Sequence, residues 1–272
     1  MNENSTHSFF KNTKGFWEET PKEFHNRGFL FGDGLFETMV FENNMIRFSD
    51  YHQERLVMGC ATLQLNTSQL SDIAEIERLL INNGFQGVSK RIRWNVYRSG
   101  QGKYTPVENG IQETLQISAF SMANPLKSKA AFSSTFRVPS TIWSHCKTIN
   151  GLHYVMANLE RIEKSLDEII LLNDKGYVSE AGSSNIFWEI EGVFYTPSLE
   201  SSCIAGVSRR VILEKLKDLG KKVGEGIFLK TDLMQAERVF TSNVTGICMI
   251  ENIEGNTFKT SGLPPELFML FK

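Results

Sequence analysis

Three side chains of this sequence carry the functional groups that covalent chemistry on an amino compound requires. They are an amine, a carboxylate and a guanidinium. Lys147 lies among aromatic and apolar neighbours in the stretch 143–148. An amine in such surroundings tends to lose its proton, and the neutral form can attack a carbonyl to form an imine. Glu180 ends a predicted strand just before a hydroxyl-rich turn, and Arg55 lies on a predicted helix.

Each of these residues also has an ordinary structural explanation. Most lysines are simply solvated, and a carboxylate at a strand end often serves an Asx or Ser turn. An arginine on a helix is usually a partner in a surface ion pair. The run Gly32-Asp33-Gly34 matches neither GxGxxG nor a Walker loop, so it is interpreted as a tight turn. Taken singly, these residues leave the function open.

A run of small residues, 205–209, precedes another predicted helix and adds a fourth chemical group. The N–H groups and the dipole at a helix N-terminus favour a phosphate. Together the four groups match what pyridoxal phosphate needs. Lys147 would make the imine, Glu180 would keep the pyridine nitrogen protonated, and the helix end with Arg55 would hold the phosphate. The sequence therefore predicts pyridoxal 5'-phosphate as cofactor and no metal.

The elements that must position these groups follow from periodicity and turn residues. In the first half we predict a hairpin over 29–48, helices from Ser49 and over 71–84, and strands over 88–98 and 111–121. In the second half we predict a strand to Val138, strands over 169–172, 177–180, 185–190 and 193–195, a helix ending at Gly220 and a strand pair over 238–250. A long amphipathic helix between them carries, on one face, Leu152, Val155, Met156, Leu159, Ile162 and Leu166.

Strands joined by hairpins, with helices in clusters, predict an α+β fold rather than a regular βαβ series. The stretch 121–134 is loop-like and contains Pro125, so we expect a domain boundary there. The predicted division is a smaller N-terminal α/β domain over 1–124 and a larger C-terminal cofactor-binding domain over 125–272.

Composition excludes several other classes of protein. The chain has 272 residues, 41% of them hydrophobic, and a formal net charge of −2, which suits a packed core and argues against nucleic acid as partner. The four cysteines are far apart, and the five histidines show no HxH or HExxH spacing. Neither a signal peptide nor a membrane span is evident, so we expect a cytoplasmic protein.

A series of short motifs resembles the class IV aminotransferases, which include branched-chain and D-amino acid transaminases and 4-amino-4-deoxychorismate lyase. The similar blocks are Phe31-Gly32-Asp33-Gly34-Leu35-Phe36-Glu37-Thr38, His52-Gln53-Glu54-Arg55-Leu56, the isolated Lys147, Asp167 to Asn173, Gly176-Tyr177-Val178-Ser179-Glu180, Ser184-Asn185-Ile186-Phe187, Tyr195-Thr196-Pro197 and Gly206-Val207-Ser208-Arg209. Any one block is unspecific. Their common order, over nearly the whole chain, indicates the family.

The resemblance implies a two-domain fold of the D-amino acid/branched-chain aminotransferase type, with pyridoxal phosphate in the interdomain cleft and usually a homodimer. By position, Lys147 is similar to the Schiff-base lysine and proton shuttle, Glu180 to the partner of the pyridine nitrogen, and Arg55 to the phosphate-binding arginine. Further phosphate contacts are implied for Val207, Ser208, Ser242 and Asn243. Ser242 departs from the threonine often found there, but it keeps the hydroxyl.

The resemblance does not by itself separate a lyase from a transaminase, since both use Lys147. The loop 98–104 resembles the glycine-rich, arginine-containing loop of the lyases, which predicts that Arg98 and Lys103 meet substrate carboxylates. Phe36 stands where some D-amino acid enzymes have tyrosine. We predict 4-amino-4-deoxychorismate lyase, which releases pyruvate and 4-aminobenzoate, with a branched-chain or D-amino acid transaminase as the alternative.

Two hypotheses from other classes stay open. Ser144 and Lys147 form an SxxK match, and Ser183-Ser184-Asn185 and Lys259-Thr260-Ser261-Gly262 loosely follow the later elements of serine acyl-enzymes. A binding protein that has lost catalysis is the other, although the presence of both Lys147 and Glu180 argues against it. The sequence leaves the role and order of residues 1–26 undetermined.

Overall fold

The structure, a computed structural model, describes residues 9–11, 16–19 and 26–272. Its helices are α1 (Arg27–Phe31), α2 (Ser49–Thr62), α3 (Ile73–Leu80), α4 (Leu152–Glu163), α5 (Val207–Asp218), α6 (Lys230–Leu233) and α7 (Pro265–Met269). Its strands are β1 (Phe9–Lys11), β2 (Trp17–Glu19), β3 (Gly34–Glu42), β4 (Met45–Ile46), β5 (Lys90–Arg98), β6 (Ile111–Ala119), β7 (Leu126–Lys127), β8 (Ala130–Val138), β9 (Glu168–Asn173), β10 (Val178–Ala181), β11 (Asn185–Ile190), β12 (Val193–Pro197), β13 (Lys222–Gly226), β14 (Arg238–Asn243), β15 (Gly246–Ile250), β16 (Asn252–Ile253) and β17 (Asn256–Thr257).

One antiparallel sheet, in the order β4-β3-β5-β6, contains the strands of residues 34–119. Its inner face packs against α2 and α3 around a core that includes Leu35, Met39, Leu56 and Trp94. Because side chains alternate along a strand, Phe36 and Thr38 of β3 and Arg91 and Arg93 of β5 point to the other face. The register pairs Thr38 with Arg93 across the sheet. This outer face therefore carries cations beside an aromatic ring.

The second half of the chain builds a six-stranded sheet, β13-β12-β11-β14-β15-β7, and a five-stranded sheet, β10-β9-β8-β16-β17. The α+β class predicted from the sequence is confirmed. Pairing is less uniform than the hairpin pattern predicts, because β8–β9 and β12–β13 are parallel pairs whose connections contain α4 and α5. The alternation of side chains along a strand indicates which of its faces is buried, but it does not indicate which strand pairs with it. These two parallel pairs therefore could not be predicted from the sequence of the strands themselves.

The predicted apolar face of helix α4 is exposed to solvent in the single chain. The exposed fractions on that face are 65% for Leu152, 55% for Val155, 52% for Leu159 and 62% for Ile162. The helix instead buries Ala157 and Glu160 against the sheet. The Glu160 carboxylate accepts hydrogen bonds from the hydroxyls of Ser133 and Ser134, which satisfies it there. The sequence pattern predicted the helix and did not predict which face meets its own sheet.

Smaller differences concern helix and strand ends. Ser49 is the first residue of α2, with Phe48 at the cap position, and α3 begins after an N-cap by Asp72. The start of the predicted 29–48 hairpin is the short helix α1. The division into domains at residues 124 and 125 stays a prediction. Most of the segment 1–26 lies outside the described residues.

Membrane and metal features were sought over the same part of the chain. No described helix combines the length and the apolar character that crossing a bilayer demands. Among the described residues, no group of three His, Cys, Asp or Glu side chains is arranged to hold a metal ion.

Candidate active site

A cavity of about 850 Å³ lies where the outer face of the four-stranded sheet meets the Lys147 segment and the N-terminus of α5. Eight of the ten residues proposed from the sequence line it, namely Phe36, Arg55, Lys147, Glu180, Val207, Ser208, Ser242 and Asn243. The other two, Arg98 and Lys103, do not line it. Residues from both halves of the chain thus face one space.

Lys147 is held in place by its own backbone. The N–H of Phe36 donates to the carbonyl of Lys147 (2.9 Å), and the N–H of Ile149 donates to the carbonyl of Gly34 (2.9 Å). The amine lies 4.6 Å from the centroid of the Phe36 ring. Burial, and then the charge of Arg55, lower the pKa of Lys147 to about 8. The amine can therefore be neutral close to physiological pH, as attack on a carbonyl requires.

Glu180, at the end of β10, lies on another side of the cavity. The hydroxyl of Tyr154 donates to one of its carboxylate oxygens, and the backbone N–H of Ile204 donates to the other (3.2 Å). Burial raises the pKa of Glu180 to about 7, against the lowering effect of these two hydrogen bonds. A carboxylate with little access to water pairs strongly with a cationic ring nitrogen. Tyr154 was missed by sequence reasoning, because nothing near it in the chain marks it as a partner of Glu180.

Arg55 is oriented by a buried carboxylate from the adjacent strand. Its Nε donates to Glu37 Oε1 (2.7 Å), its Nη2 donates to Oε2, and Nδ1 of His52 lies 2.6 Å from Oε2. Burial would raise the pKa of Glu37, but Arg55 and His52 outweigh it and lower the pKa to about 2. Nη1 of Arg55 donates to the carbonyl of Ala205 (3.2 Å), which ties α2 to the segment before α5.

Sequence reasoning missed Glu37 and His52, although both lie inside blocks that suggested the family. A signal was present, since His52 and Arg55 are three residues apart and share one face of a helix. The side of β3 on which Glu37 projects, towards α2, is known only once the sheet and helix are docked.

The N-terminus of α5 offers unpaired donors to the cavity. Gly206 occupies the cap position without a side-chain cap, and a Cβ there would lie 1.8 Å from Oδ1 of Asn185. Only glycine permits this close approach. The first N–H groups of a helix have no acceptor within it, and its dipole favours an anion. The hydroxyls of Ser208 and Ser242 lie 3.4 Å apart beside this helix end.

Asn243 supports the turn between β14 and β15. Its Nδ2 donates to the hydroxyl of Ser184 (3.1 Å), and its Oδ1 accepts from the backbone N–H of Thr245 (2.9 Å). Its side chain therefore binds both within the turn and across to the residue before β11.

These donors fit pyridoxal 5'-phosphate. The helix N-terminus, two hydroxyls and Arg55 suit a phosphate dianion. Glu180 suits a protonated pyridine nitrogen, and the Lys147 amine suits the aldehyde. Glycine at position 206 leaves room for Oδ1 of Asn185 against the start of α5, which keeps this helix end close to β11.

Arg98 and Lys103 do not line the cavity, and their approach to a substrate stays a prediction. The Arg98 guanidinium is buried and donates to Asp33 Oδ2 (3.0 Å), Asn109 Oδ1 (2.7 Å) and the carbonyl of Leu63 (2.7 Å). The carbonyl of Lys103 accepts from Arg27 (2.8 Å), and its side chain is exposed. The loop resembles a binding loop in sequence, but here Asp33 holds its arginine. Arg91 and Arg93, which sequence reasoning passed over, line the cavity instead.

The elements of the serine acyl-enzyme hypothesis are not brought together. Ser144 lies in a turn outside this cavity, where its hydroxyl donates to the carbonyl of Pro139 (2.8 Å) and accepts from the N–H of Thr141 (2.7 Å). Lys259 is exposed and forms an ion pair with Glu237 (2.7 Å). Ser144 therefore lacks the helix-start position that an SxxK nucleophile needs.

In the cofactor-free protein, carbamylation of Lys147 by cyanate is expected to rise with pH, to reach its midpoint near pH 8 and to level off about one unit above that. The buried amine loses its proton at about pH 8, so the neutral, reactive fraction is nearly complete one unit higher. Peptide mass spectrometry over a pH series measures the modified fraction. Exposed lysines in the same digest are the control, since the ordinary lysine pKa is about 10.4. A midpoint for Lys147 equal to theirs contradicts the prediction.

Comparison with known proteins identifies similar chains. The family model described as amino-transferase class IV matches residues 34–253. A D-alanine aminotransferase of Bacillus licheniformis is 27% identical over 262 residues, covering 92% of this chain and 88% of that protein. An aminodeoxychorismate lyase of Bacillus subtilis (strain 168) is 28% identical over 225 residues, covering 80% and 76%. Relatives with two different reactions are thus equally similar.

Solved structures share the fold at low sequence identity. A branched-chain aminotransferase of the thermophilic archaeon Thermoproteus uzoniensis, crystallised with norvaline, aligns with a TM-score of 0.82 at 22% identity, covering 94% of this chain and 91% of that one. A T.th. branched-chain amino acid aminotransferase, crystallised with pyridoxamine 5'-phosphate, aligns with a TM-score of 0.78 at 21% identity, covering 93% and 90%. The predicted D-amino acid/branched-chain aminotransferase type of fold is confirmed.

Proposed function

This chain belongs to the class IV aminotransferase family, and from that premise we propose that it binds pyridoxal 5'-phosphate and acts on a primary amine through Lys147. The observation that carries the proposal is the buried amine of Lys147, which shares one cavity with Glu180, Arg55 and the N-terminus of α5.

Each residue has a task that its surroundings support. When bound, the cofactor supplies a ring that accepts electrons from the substrate carbon beside the amine. The phosphate of the cofactor would be held by Arg55, Val207, Ser208, Ser242 and the turn at Asn243. Glu180, steadied by Tyr154, holds the proton at the ring nitrogen. The Nζ of Lys147, with its pKa of about 8, takes and returns a proton at the reacting carbon.

The absorbance spectrum of the purified protein tests this proposal. After incubation with pyridoxal 5'-phosphate and removal of the free cofactor, a band above the aromatic region is expected. Borohydride should bleach the band and leave the cofactor mass on the peptide that contains Lys147. A protein that stays colourless, or one labelled only at exposed lysines, contradicts the proposal.

For the reaction itself we propose 4-amino-4-deoxychorismate lyase. The similar lyase of Bacillus subtilis and a cavity with room for a ring-bearing acid beside the cofactor support it. A transaminase is the second candidate, because a D-alanine aminotransferase is as similar in sequence. Incubation with aminodeoxychorismate should release 4-aminobenzoate and pyruvate without any added keto acid. Amino transfer between an amino acid and a keto acid, with no release of 4-aminobenzoate, overturns the lyase proposal.

We also propose a homodimer formed through the exposed apolar face of α4. This face lies beside the cavity, since two of its residues, Leu152 and Val155, also line the cavity. Burying such a stripe against a second copy removes apolar surface from water, worth about 25 cal/mol per Å².

The variant Leu159→Arg is expected to weaken the dimer by roughly 100-fold or more, since it places an unpaired charge in an apolar contact. Leu159 is 52% exposed in the single chain, so the fold itself should tolerate the change. Sedimentation over a concentration series measures the dissociation constant. Met58→Arg, at an apolar position on α2 that is 62% exposed, is the control. Dimers of equal stability in both variants contradict this interface.

A further inference from the structure

The carboxylate of Glu180 is held from two sides by different elements of the fold. Glu180 is buried, and both of its carboxylate oxygens accept hydrogen bonds. The hydroxyl of Tyr154, on α4, donates to Oε1, and the backbone N–H of Ile204, just before α5, donates to Oε2 (3.2 Å). Glu180 and Tyr154 both line the cavity. The two donors therefore fix the orientation of the carboxylate at the cavity wall.

A second contact from the same helix holds the turn that follows Glu180. Nδ2 of Asn158 donates to the carbonyl of Gly182 (3.1 Å) and to the carbonyl of Tyr154 (2.9 Å). A Cβ at Gly182 would lie 3.1 Å from this Nδ2, so the turn packs tightly against the helix. Tyr154 and Asn158 are one helical turn apart and share one face of α4. Helix α4 therefore determines where the Glu180 carboxylate lies.

The charged and titratable groups around Glu180 come from three parts of the chain. Burial raises the pKa of Glu180 to about 7, and the hydrogen bond from Tyr154 is the largest effect that opposes this rise, ahead of the charges of Lys147 and Arg209. Burial also raises the pKa of Tyr154 well above its ordinary value and that of Cys203 to about 12. Both groups therefore keep their protons at neutral pH, and the tyrosine hydroxyl stays a donor.

We propose that Tyr154 is a positioning residue that keeps Glu180 ionised at neutral pH, so that the site takes up a protonated pyridine ring at that pH. The inference rests on the proposed function, because Glu180 meets a ring nitrogen only if the cofactor binds in this cavity. Without the tyrosine donor, the buried carboxylate would hold a proton at pH 7 and would have to release it before pairing with a cationic nitrogen. Tyr154 thus acts on the cofactor through Glu180.

Binding of pyridoxine 5'-phosphate tests the proposal, because this probe has an alcohol in place of the aldehyde and forms no imine with Lys147. Titration calorimetry of the full chain, freed of cofactor, measures its dissociation constant at pH 7 and pH 9. Tyr154→Phe should bind the probe roughly 5- to 50-fold more weakly than the parent at pH 7, and within about twofold at pH 9, where Glu180 is largely ionised in both. At pH 7 the variant should also release more protons on binding, which calorimetry in two buffers of different ionisation enthalpy counts.

Two further variants show whether Tyr154 acts through Glu180. Tyr51→Phe is the matched control, since the Tyr51 hydroxyl also donates to a carboxylate, Oε2 of Glu214 (2.5 Å), but lies outside the cavity lining. It should bind the probe as the parent does at both pH values. Glu180→Gln removes the titrating group, so adding Tyr154→Phe to it should cause no further change in the pH dependence.

The outcomes separate this inference from the proposed function. A visible absorbance band with pyridoxal 5'-phosphate, together with the same pH dependence of probe binding in the parent and in Tyr154→Phe, overturns the role of Tyr154 alone. A colourless protein that also fails to bind the probe overturns the proposed function and the inference with it. A weakening that is equal at pH 7 and pH 9, or that persists beside Glu180→Gln, shows that Tyr154 acts through packing, and the inference fails.

Discussion

The variant Lys147→Ala is expected to lose the visible absorbance band and to lower kcat/KM by roughly 10³-fold or more. It removes both the amine that holds the cofactor and the base that moves the substrate proton, and the base alone contributes about 10²- to 10⁴-fold. The spectrum and the initial rate at saturating cofactor measure the two effects separately. Lys129→Ala, which removes an exposed lysine, should change neither.

The loss should not come from unfolding. Burial lowers the pKa of Lys147 from 10.5 to about 8, so between these values the unfolded chain binds more protons than the native one. Burial of the Lys147 amine therefore lowers the free energy of unfolding at pH 8 and below. This loss of stability becomes smaller as the pH rises from 8 to 10.5. The cofactor-free alanine variant should equal or exceed the parent in urea midpoint at pH 7. A small primary amine in solution should restore part of the rate. A full absorbance band and rate in the variant would overturn the role of Lys147.

The sequence and the structure agree best where the information is local. The strand Asn185–Ile190 and the buried pair around 238–250 appear as predicted, because alternation and turn residues lie within a few positions of each other. Glu180 could be singled out for a similar reason, since it ends a block that resembles a known motif, and Lys147 could be singled out by its aromatic and apolar neighbours in the chain. The chain segments that carry the motifs thus do face one cavity.

What the sequence could not predict depends on docking between distant segments. Arg98 lies in a suggestive loop, yet its direction is set by Asp33, which is 65 residues away in the chain. Arg91 and Arg93 look like ordinary polar positions of an alternating strand until the outer face of the sheet proves to border the cavity. The apolar face of α4 predicts a buried helix side, and only the docked fold reveals that its own sheet takes the opposite side.

Removal of one member of the buried Glu37–Arg55 pair is expected to cost about 3–5 kcal/mol of unfolding free energy. Arg55→Met leaves the Glu37 carboxylate, 1% exposed, with His52 as its remaining partner among the described residues. Glu37→Gln leaves the guanidinium without its counter-ion. Urea unfolding of the cofactor-free variants measures both losses. Because the two residues share one interaction, the double variant should lose less than the two single variants combined. Fully additive losses would contradict a direct pair.

The pH dependence of the unfolding free energy distinguishes the loss of this ion pair from a loss of packing alone. The pKa of Glu37 is lowered from 4.5 to about 2, so the native state holds the carboxylate ionised where the unfolded chain is protonated. The stability advantage of the parent over Glu37→Gln is therefore complete above pH 4.5 and falls as the pH is lowered towards 2. In the loaded protein, Arg55→Met should also weaken cofactor binding more than Glu37→Gln does, since only the arginine would meet the phosphate. An advantage that stays constant from pH 7 to pH 3 would show that Glu37 acts through its shape rather than its charge.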